Sequence, residues 1–282
     1  MEISIIIGYI AVFLALVFGI TFTDTGFDFA MLSNFINGPS IFIVLGGTFF
    51  AMLASVPFEY FRRVPKHIKI ILTKDQKDPY EYIEIITELS KEARKKGLLA
   101  LEDKANAFED EFMKESVLMI VDAIEPDKLR EWFNQKLDNI SNRNNEERRL
   151  YEQGAAFGPA FGMIGTLIGL VNMLKSMSLE GGAESLGSDM SVALITTFYG
   201  SVLANCIFLP FASKLEIAQD REMLLKEIIV EGVICIKEGE NPKYIHDKLL
   251  NFVEEKERQA ETDEEGTKPK RGIRRRRRNE LE

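Results

Sequence analysis

Gly154-Ala155-Ala156-Phe157-Gly158-Pro159-Ala160-Phe161-Gly162-Met163-Ile164-Gly165-Thr166-Leu167-Ile168-Gly169-Leu170-Val171-Asn172-Met173-Leu174 runs for 21 residues without an Asp, Glu, Lys or Arg. A helix needs about 20 mostly apolar residues to cross the hydrocarbon of a bilayer. Three further windows, Ile3–Phe22, Pro39–Val56 and Met190–Ala212, are equally free of charge, and the second can be extended back to Asn34 through Phe35 and Ile36. One such window is compatible with a buried core helix, but four are not. In lipid an open chain satisfies its own backbone only as a helix. The fold class expected is therefore all-α, a polytopic membrane protein with four transmembrane helices and a helical cytoplasmic domain.

The bulk figures hide this layout. The chain has 282 residues, 46% apolar and 28% charged, with 35 Lys and Arg against 44 Asp and Glu and a net charge of −9. Those averages suit an ordinary soluble protein. Because four windows hold none of the charge, a soluble single domain is excluded.

Lys and Arg near the span ends set the orientation. Arg62, Arg63, Lys66 and Lys69 follow the second span, Arg143, Arg148 and Arg149 precede the third, and Lys214, Arg221 and Lys226 follow the fourth. The loop 23–38 has no basic residue, and the loop 175–189 has only Lys175 at its edge. Both termini are thus expected in the cytoplasm. Only Glu2 precedes the first apolar run and no small-residue cleavage site follows it, so it reads as an uncleaved span.

The expected organisation is a transmembrane hairpin over 1–56 (spans 3–22 and 34–56), a cytoplasmic helical domain over 57–153 and a second hairpin over 154–212 (spans 154–174 and 190–212). A cytoplasmic helical extension over 213–259 and a disordered charged tail over 260–282 complete it. In the 57–153 region Asp78-Pro79 opens a helix that Gly97 closes. Ile83, Ile86, Leu89 and Ala93 form its apolar face. Leu98, Leu101, Ala105, Phe108 and Phe112 do the same for the next, and Leu129, Trp132, Phe133 and Leu137 for a helix starting at Pro126. The Arg274–Arg278 run reads as solvated or directed at anionic lipid headgroups rather than at nucleic acid. Cys206 and Cys235 lie apart, one in a span and one in the tail, and suit neither a disulfide nor a metal site.

Enzymatic signatures are missing from the sequence. There is no phosphate loop, no HExxH and no CxxC, and the two histidines are His67 and His246. A non-enzymatic protein without a cofactor is expected. Gly154, Gly158, Gly162, Gly165 and Gly169 keep close to one helical face, where small residues let membrane helices approach. That face suits packing within the chain, against a partner, or both. Thr197, Ser201 and Asn205 recur on one face of the fourth span, with Thr166 the matching hydroxyl in the third. Such hydroxyls either bond back to their own i−4 carbonyls or form a polar seam along an ion path. Pro159 and Pro210 either bend their spans or mark helix ends. No span carries an ionisable residue of the kind that marks an ion relay. If the chain conducts ions, a partner helix must bring the titrating group.

Gly158-Pro159-Ala160-Phe161-Gly162-Met163-Ile164-Gly165-Thr166-Leu167-Ile168-Gly169-Leu170 resembles the third-span motif of the flagellar stator A-subunit family (MotA/PomA). Thr196-Thr197-Phe198-Tyr199-Gly200 and Phe208-Leu209-Pro210 resemble its fourth-span motif, and Ala93–Glu102 its rotor-facing segment. The resemblance implies an ion-channel-forming motor unit that couples H+ or Na+ flow to torque on the flagellar rotor. It implies a complex of five A subunits and two B subunits, A5B2, in the bacterial inner membrane. Each B subunit brings one span with an intramembrane aspartate and a peptidoglycan-binding domain. By the same resemblance, Pro159 and Pro210 couple ion passage to movement, Thr166 and Thr197 line the path, and Arg94, Lys95, Glu102 and Asp103 face the rotor switch protein. Membrane lipid is an expected contact and nucleic acid is not. Related ion-driven motors that energise envelope or outer-membrane transport typically have three spans, and a passive scaffold is the remaining alternative.

Overall fold

The computed structural model describes residues 3–23, 26–73, 77–122, 124–177 and 183–253. The 260–282 tail, with Arg274–Arg278, lies outside the described residues. The described chain is helical apart from a two-residue-per-strand hairpin, β1 (Phe22–Thr23) with β2 (Gly26–Phe27). It divides into two compact units, Met1–Gln76 with Asp138–Arg221, and Lys77–Leu137 with Glu222–Glu282.

In the first unit, α1 (Ile3–Thr21) is the first apolar helix. After the hairpin, a 3-10 helix covers Phe29–Phe35, capped by Asp28, whose carboxylate accepts from the Ala30 N–H at 2.9 Å. The second apolar helix then runs from Gly38 to Ser55, as α2 (Gly38–Ile41), a π turn (Phe42–Gly46) and α3 (Gly47–Ser55). Its start lies later than the Asn34 that apolar composition allowed. The Asn37 side chain caps the helix by accepting from the Ser40 N–H at 3.0 Å, and Pro39 occupies its first turn, where its missing N–H costs nothing. α4 (Phe58–Leu72) follows, with Pro65 inside it.

The third apolar segment is the end of α8 (Pro126–Met177), a single helix of 52 residues. Sequence reading placed a short helix at Pro126 and a separate span from 154. The two merge because residues 138–153 contain neither Gly nor Pro, and the Arg148–Glu152 pair, four residues apart, supports the exposed face. The fourth is α9 (Ala183–Val202), which continues without a break through a π turn (Leu203–Phe208) into α10 (Leu209–Lys237). A small core at the charged ends of these helices gathers Met52, Val56, Ile71, Leu150, Tyr151, Ala212 and Leu215.

The second unit is a helical bundle. Asp78 caps α5 (Pro79–Lys96), and Gly97, at φ +84°, ends it. A 3-10 turn (Leu98–Ala100) leads into α6 (Leu101–Ala105), and Asp110 caps α7 (Glu111–Val121). The Leu98–Phe112 apolar face is therefore split between two helices, with Phe108 in the turn between them. Every apolar residue that the sequence assigned to these three faces lies in or against one core. Ile228, Ile229, Val233 and Ile234 of α10, and Ile245 and Leu249 of α11 (242–253), complete that core. Gly232 lets α10 sit under Ile86, whose Cγ2 lies 2.6 Å from where a Cβ would stand. The compact units thus cut across the divisions at 57, 154 and 213 that composition suggests, since α8 and α10 each contribute to both.

Candidate functional site

The glycines of the third span are all buried, and each meets the chain itself. A Cβ added at Gly158 would stand 3.1 Å from the Gly200 carbonyl, at Gly162 3.0 Å from the Thr196 carbonyl, and at Gly169 2.7 Å from the Asp189 carbonyl. At Gly165 it would collide with Thr196, and at Gly154 it would lie 2.7 Å from the Phe208 ring. The small-residue face is therefore filled by the fourth span. Gly200, which shows no spacing pattern of its own, is its counterpart: a Cβ there would stand 2.5 Å from the Gly158 carbonyl oxygen. Gly47 in the second helix serves in the same way, lying directly under the Phe161 ring.

This close approach brings the hydroxyls together. Thr166 Oγ1 lies 2.6 Å from Thr197 Oγ1, 3.1 Å from the Gly162 carbonyl and 3.0 Å from the Ala193 carbonyl. Thr197 Oγ1 in turn lies 3.3 Å from its own i−4 carbonyl, Ala193. Each hydroxyl thus has its own i−4 carbonyl within reach, as the back-bonding reading requires, and also a partner across the helix pair. With one proton each, the two hydroxyls make one bond between them and leave one proton for a carbonyl. Neighbouring Thr196 is fully buried and bonds only backbone, reaching Val192 and Ala193 carbonyls at 3.0 Å.

Thr197, Ser201 and Asn205 stand on an exposed face of the fourth span. Around them the surface is apolar and open: Met163, Leu167 and Val171 of the third span are each 63% exposed, and Leu194 is 61% exposed. The result is a narrow hydroxyl and amide seam in an apolar wall that carries no charge of its own.

Pro159 lies inside α8, and Pro210 follows the π turn of the fourth helix. Neither marks a helix end, since the helix continues through both positions. In an α-helix proline lacks the N–H that would reach the i−4 carbonyl, which for Pro159 is that of Ala155. In the π turn ahead of Pro210, Leu209 N–H reaches back to Ala204 O, and Tyr9 of α1 donates to Ile207 O at 3.4 Å. Nearer the middle of the fourth span, Tyr199 donates a short bond to the Phe35 carbonyl.

Where charges resume, α4 and α8 share a buried cluster that sequence reading missed. His67 is wholly buried, with Nε2 3.0 Å from Glu147 Oε2 and Nδ1 2.9 Å from the Tyr151 hydroxyl. Burial lowers the His67 pKa, and Glu147, which opposes this, does not overcome it. The neutral ring then donates from Nε2 to Glu147 and accepts from Tyr151, whose own pKa burial raises. Burial pushes Glu147 up, but the bonds from Arg63 and His67 outweigh it and hold the carboxyl below its ordinary value. Tyr151 stacks at a tilt on Phe211, 4.4 Å between ring centres, one residue beyond Pro210.

Arg94, Lys95, Glu102 and Asp103, in the second unit, are all exposed. Glu92 takes both Lys96 and Lys104, and among the described residues none of the four forms an ion pair. No group of three His, Cys, Asp or Glu among the described residues is placed to hold a metal ion. Cys235 is buried, and burial pushes its thiol up to about 12.

The fold defines a multi-pass helical membrane protein with an exposed hydroxyl and amide seam on its fourth span. Residues 104–228 match the model of the MotA/TolQ/ExbB proton channel family. Motility protein A of Borreliella burgdorferi is 36% identical over 258 residues, covering 92% of this chain and 96% of that protein. Chemotaxis protein PomA of Vibrio alginolyticus is 34% identical over 233 residues, 83% of this chain and 90% of that one. The fold superposes on a chain of the flagellar MotAB stator complex from Bacillus subtilis with a TM-score of 0.76 and 28% identity, covering 90% and 97% of the two chains. The chain belongs to the motility protein A (MotA/PomA) family.

Proposed function

We propose that this chain is the A subunit of a flagellar stator, a motor unit in which H+ or Na+ flow produces torque on the rotor. The observation that carries the reading is the open seam of Thr197, Ser201 and Asn205 beside Thr166. It offers oxygens to a passing ion and no carboxylate to hold one. A B subunit laid against that wall, with one span and an intramembrane aspartate, supplies the missing charge. The glycine face is already occupied within the chain, so the partner meets the exposed apolar residues around the seam. An A5B2 assembly surrounds two such partner helices with five of these walls. The distribution of basic residues supports an orientation with both termini in the cytoplasm, and kinship with motility proteins supports a bacterial inner-membrane location. Arg94, Lys95, Glu102 and Asp103, exposed and without an ion pair among the described residues, then face the rotor switch protein.

The broader family also takes in motors that energise outer-membrane transport. The four apolar helices and near-complete coverage by motility proteins favour the stator.

The test is complementation in cells lacking every resident stator, with the adjacent B-type gene co-expressed. The intact chain restores swimming, whereas Pro159→Ala and Arg94→Glu reach the membrane and fail to do so. Normal swimming by both variants would sink the reading.

A further inference from the structure

α4 begins just beyond the second apolar helix and presents three distinct faces. One is buried: His67 and Ile71 pack into the unit, and Arg63 on its border is taken up by Glu147. At 3.6 residues per turn, Ile68, Leu72, Pro65 and Phe58 fall on an adjoining arc of about 80°. This arc is apolar and open, with Phe58 62% and Ile68 43% exposed. Arg62, Lys66 and Lys69 fall on the next arc of about 60°. All three are exposed, and among the described residues none forms an ion pair. The helix has one acid, Glu59, at its start.

The apolar arc continues into a groove of about 250 Å³ between α4 and the first span, lined by Ile6, Tyr9, Ile10, Ile68, Leu72 and Phe211. The Tyr9 hydroxyl is directed to the Ile207 carbonyl. An apolar groove that runs directly into a row of unneutralised cations matches a ligand with an anionic head and a hydrocarbon tail. A protein partner would have to bring several carboxylates at the edge of the membrane. The lipid leaflet brings phosphates to that level already, and basic residues there bind anionic lipid.

We propose that α4 and α1 form a binding site for an anionic phospholipid, its phosphate held by Arg62, Lys66 and Lys69 and one acyl chain lying in the groove. Phe211 follows Pro210 directly, so the chain lies against the π turn and proline of the fourth span. The site rests on the membrane character of the first unit and not on the stator reading, so either can fail without the other.

The test is native mass spectrometry of the delipidated full-length chain, incubated with phosphatidylglycerol and phosphatidylcholine of matched acyl chains. The intact chain retains phosphatidylglycerol in preference. Each basic residue at an anionic surface is worth roughly fivefold, so the combined variant Arg62→Gln, Lys66→Gln, Lys69→Gln loses the preference by about tenfold or more. The charge-conserving variant Arg62→Lys, Lys66→Arg, Lys69→Arg keeps it. Ile68→Ser with Leu72→Ser weakens retention of both lipids and leaves the preference intact. Equal retention of the two lipids by the intact chain, or an unchanged preference in the glutamine variant, overturns the proposal. So does a glutamine variant that alters only the oligomeric mass, which would assign the face to a second copy of the chain.

Discussion

Gly200 and Gly158 meet backbone to backbone: a Cβ on Gly200 would stand 2.5 Å from the Gly158 carbonyl oxygen, and one on Gly158 3.1 Å from the Gly200 carbonyl. A side chain in the way can rotate, but a carbonyl in a continuous helix cannot. Gly200→Ala is therefore expected to push the two spans apart, at about 1–3 kcal/mol for the overpacking. Gly8→Ala, with nothing within 4 Å of its Cβ, is the matched control. Thermal denaturation of the detergent-solubilised chain checks both. Equal midpoints would mean that the helix pair yields without cost.

The Thr166–Thr197 pair separates packing from ion passage. Thr197→Val keeps the shape of the side chain and removes the hydroxyl from the exposed seam. Hydroxyl bonds between membrane helices are worth about 0.6 kcal/mol on average, so the melting midpoint should hardly move. Ion flux and swimming should fall several-fold, and Thr197→Ser should restore them. Flux at the wild-type level in the valine variant would confine the pair to packing.

The legibility of these features followed their periodicity. The third-span glycines repeat at helical spacing and announce a close contact, but Gly200 is the lone glycine between 190 and 212 and Gly47 sits in an adjacent Gly46-Gly47 pair without helical spacing, so neither side of that contact identified its neighbour. The apolar faces of α5, α6 and the start of α8 were readable for the same reason. What was not readable is that residues 222–253 close their core, since nothing local links Gly232 to Ile86. The continuity of α8 was hidden by a change of composition at 154 that the backbone ignores. His67, Glu147 and Tyr151 carry no pattern at all. Two helices roughly 80 residues apart in sequence bring them together.

That cluster makes a pH prediction with a definite sign. Its charged and titratable members are Arg63 and Lys66 on the histidine's own helix and Glu147 and Tyr151 on α8. Burial holds the folded His67 pKa below its ordinary 6.5, so the unfolded chain binds the proton first as pH falls. The stability gained from a neutral His67 is complete above 6.5 and is lost progressively as pH drops below that value toward the folded pKa. Each unit between the two pKa values is worth about 1.4 kcal/mol. Glu147, held below 4.5, contributes in the same direction but only at more acidic pH. Between about pH 7.5 and pH 5.5 the melting midpoint of the wild-type chain should therefore fall. His67→Gln, which keeps a donor and an acceptor but does not titrate, should fall less. Parallel curves for the two would remove His67 as the source.

Arg94 and its neighbours make the cleanest separation of torque from stability. Glu92 already pairs with Lys96 and Lys104, whereas Arg94, Lys95, Glu102 and Asp103 project from the bundle without ion-pair partners among the described residues. Leu99, 75% exposed, stands between the two charged pairs, while Leu98 and Leu101 on either side pack into the core. Surface substitutions that break no such contact usually change stability by less than about 0.5 kcal/mol. Arg94→Glu combined with Lys95→Glu should thus leave the melting midpoint and the membrane level unchanged. If these charges press on the rotor, the same change should abolish swimming, and opposite substitutions on the rotor face should recover part of it. Glu92→Gln is the counter-experiment. It releases Lys96 and Lys104 into the same surface and should alter speed through excess positive charge rather than lost contact. Swimming unaffected by the double glutamate variant would move the torque-bearing contact elsewhere in the second unit.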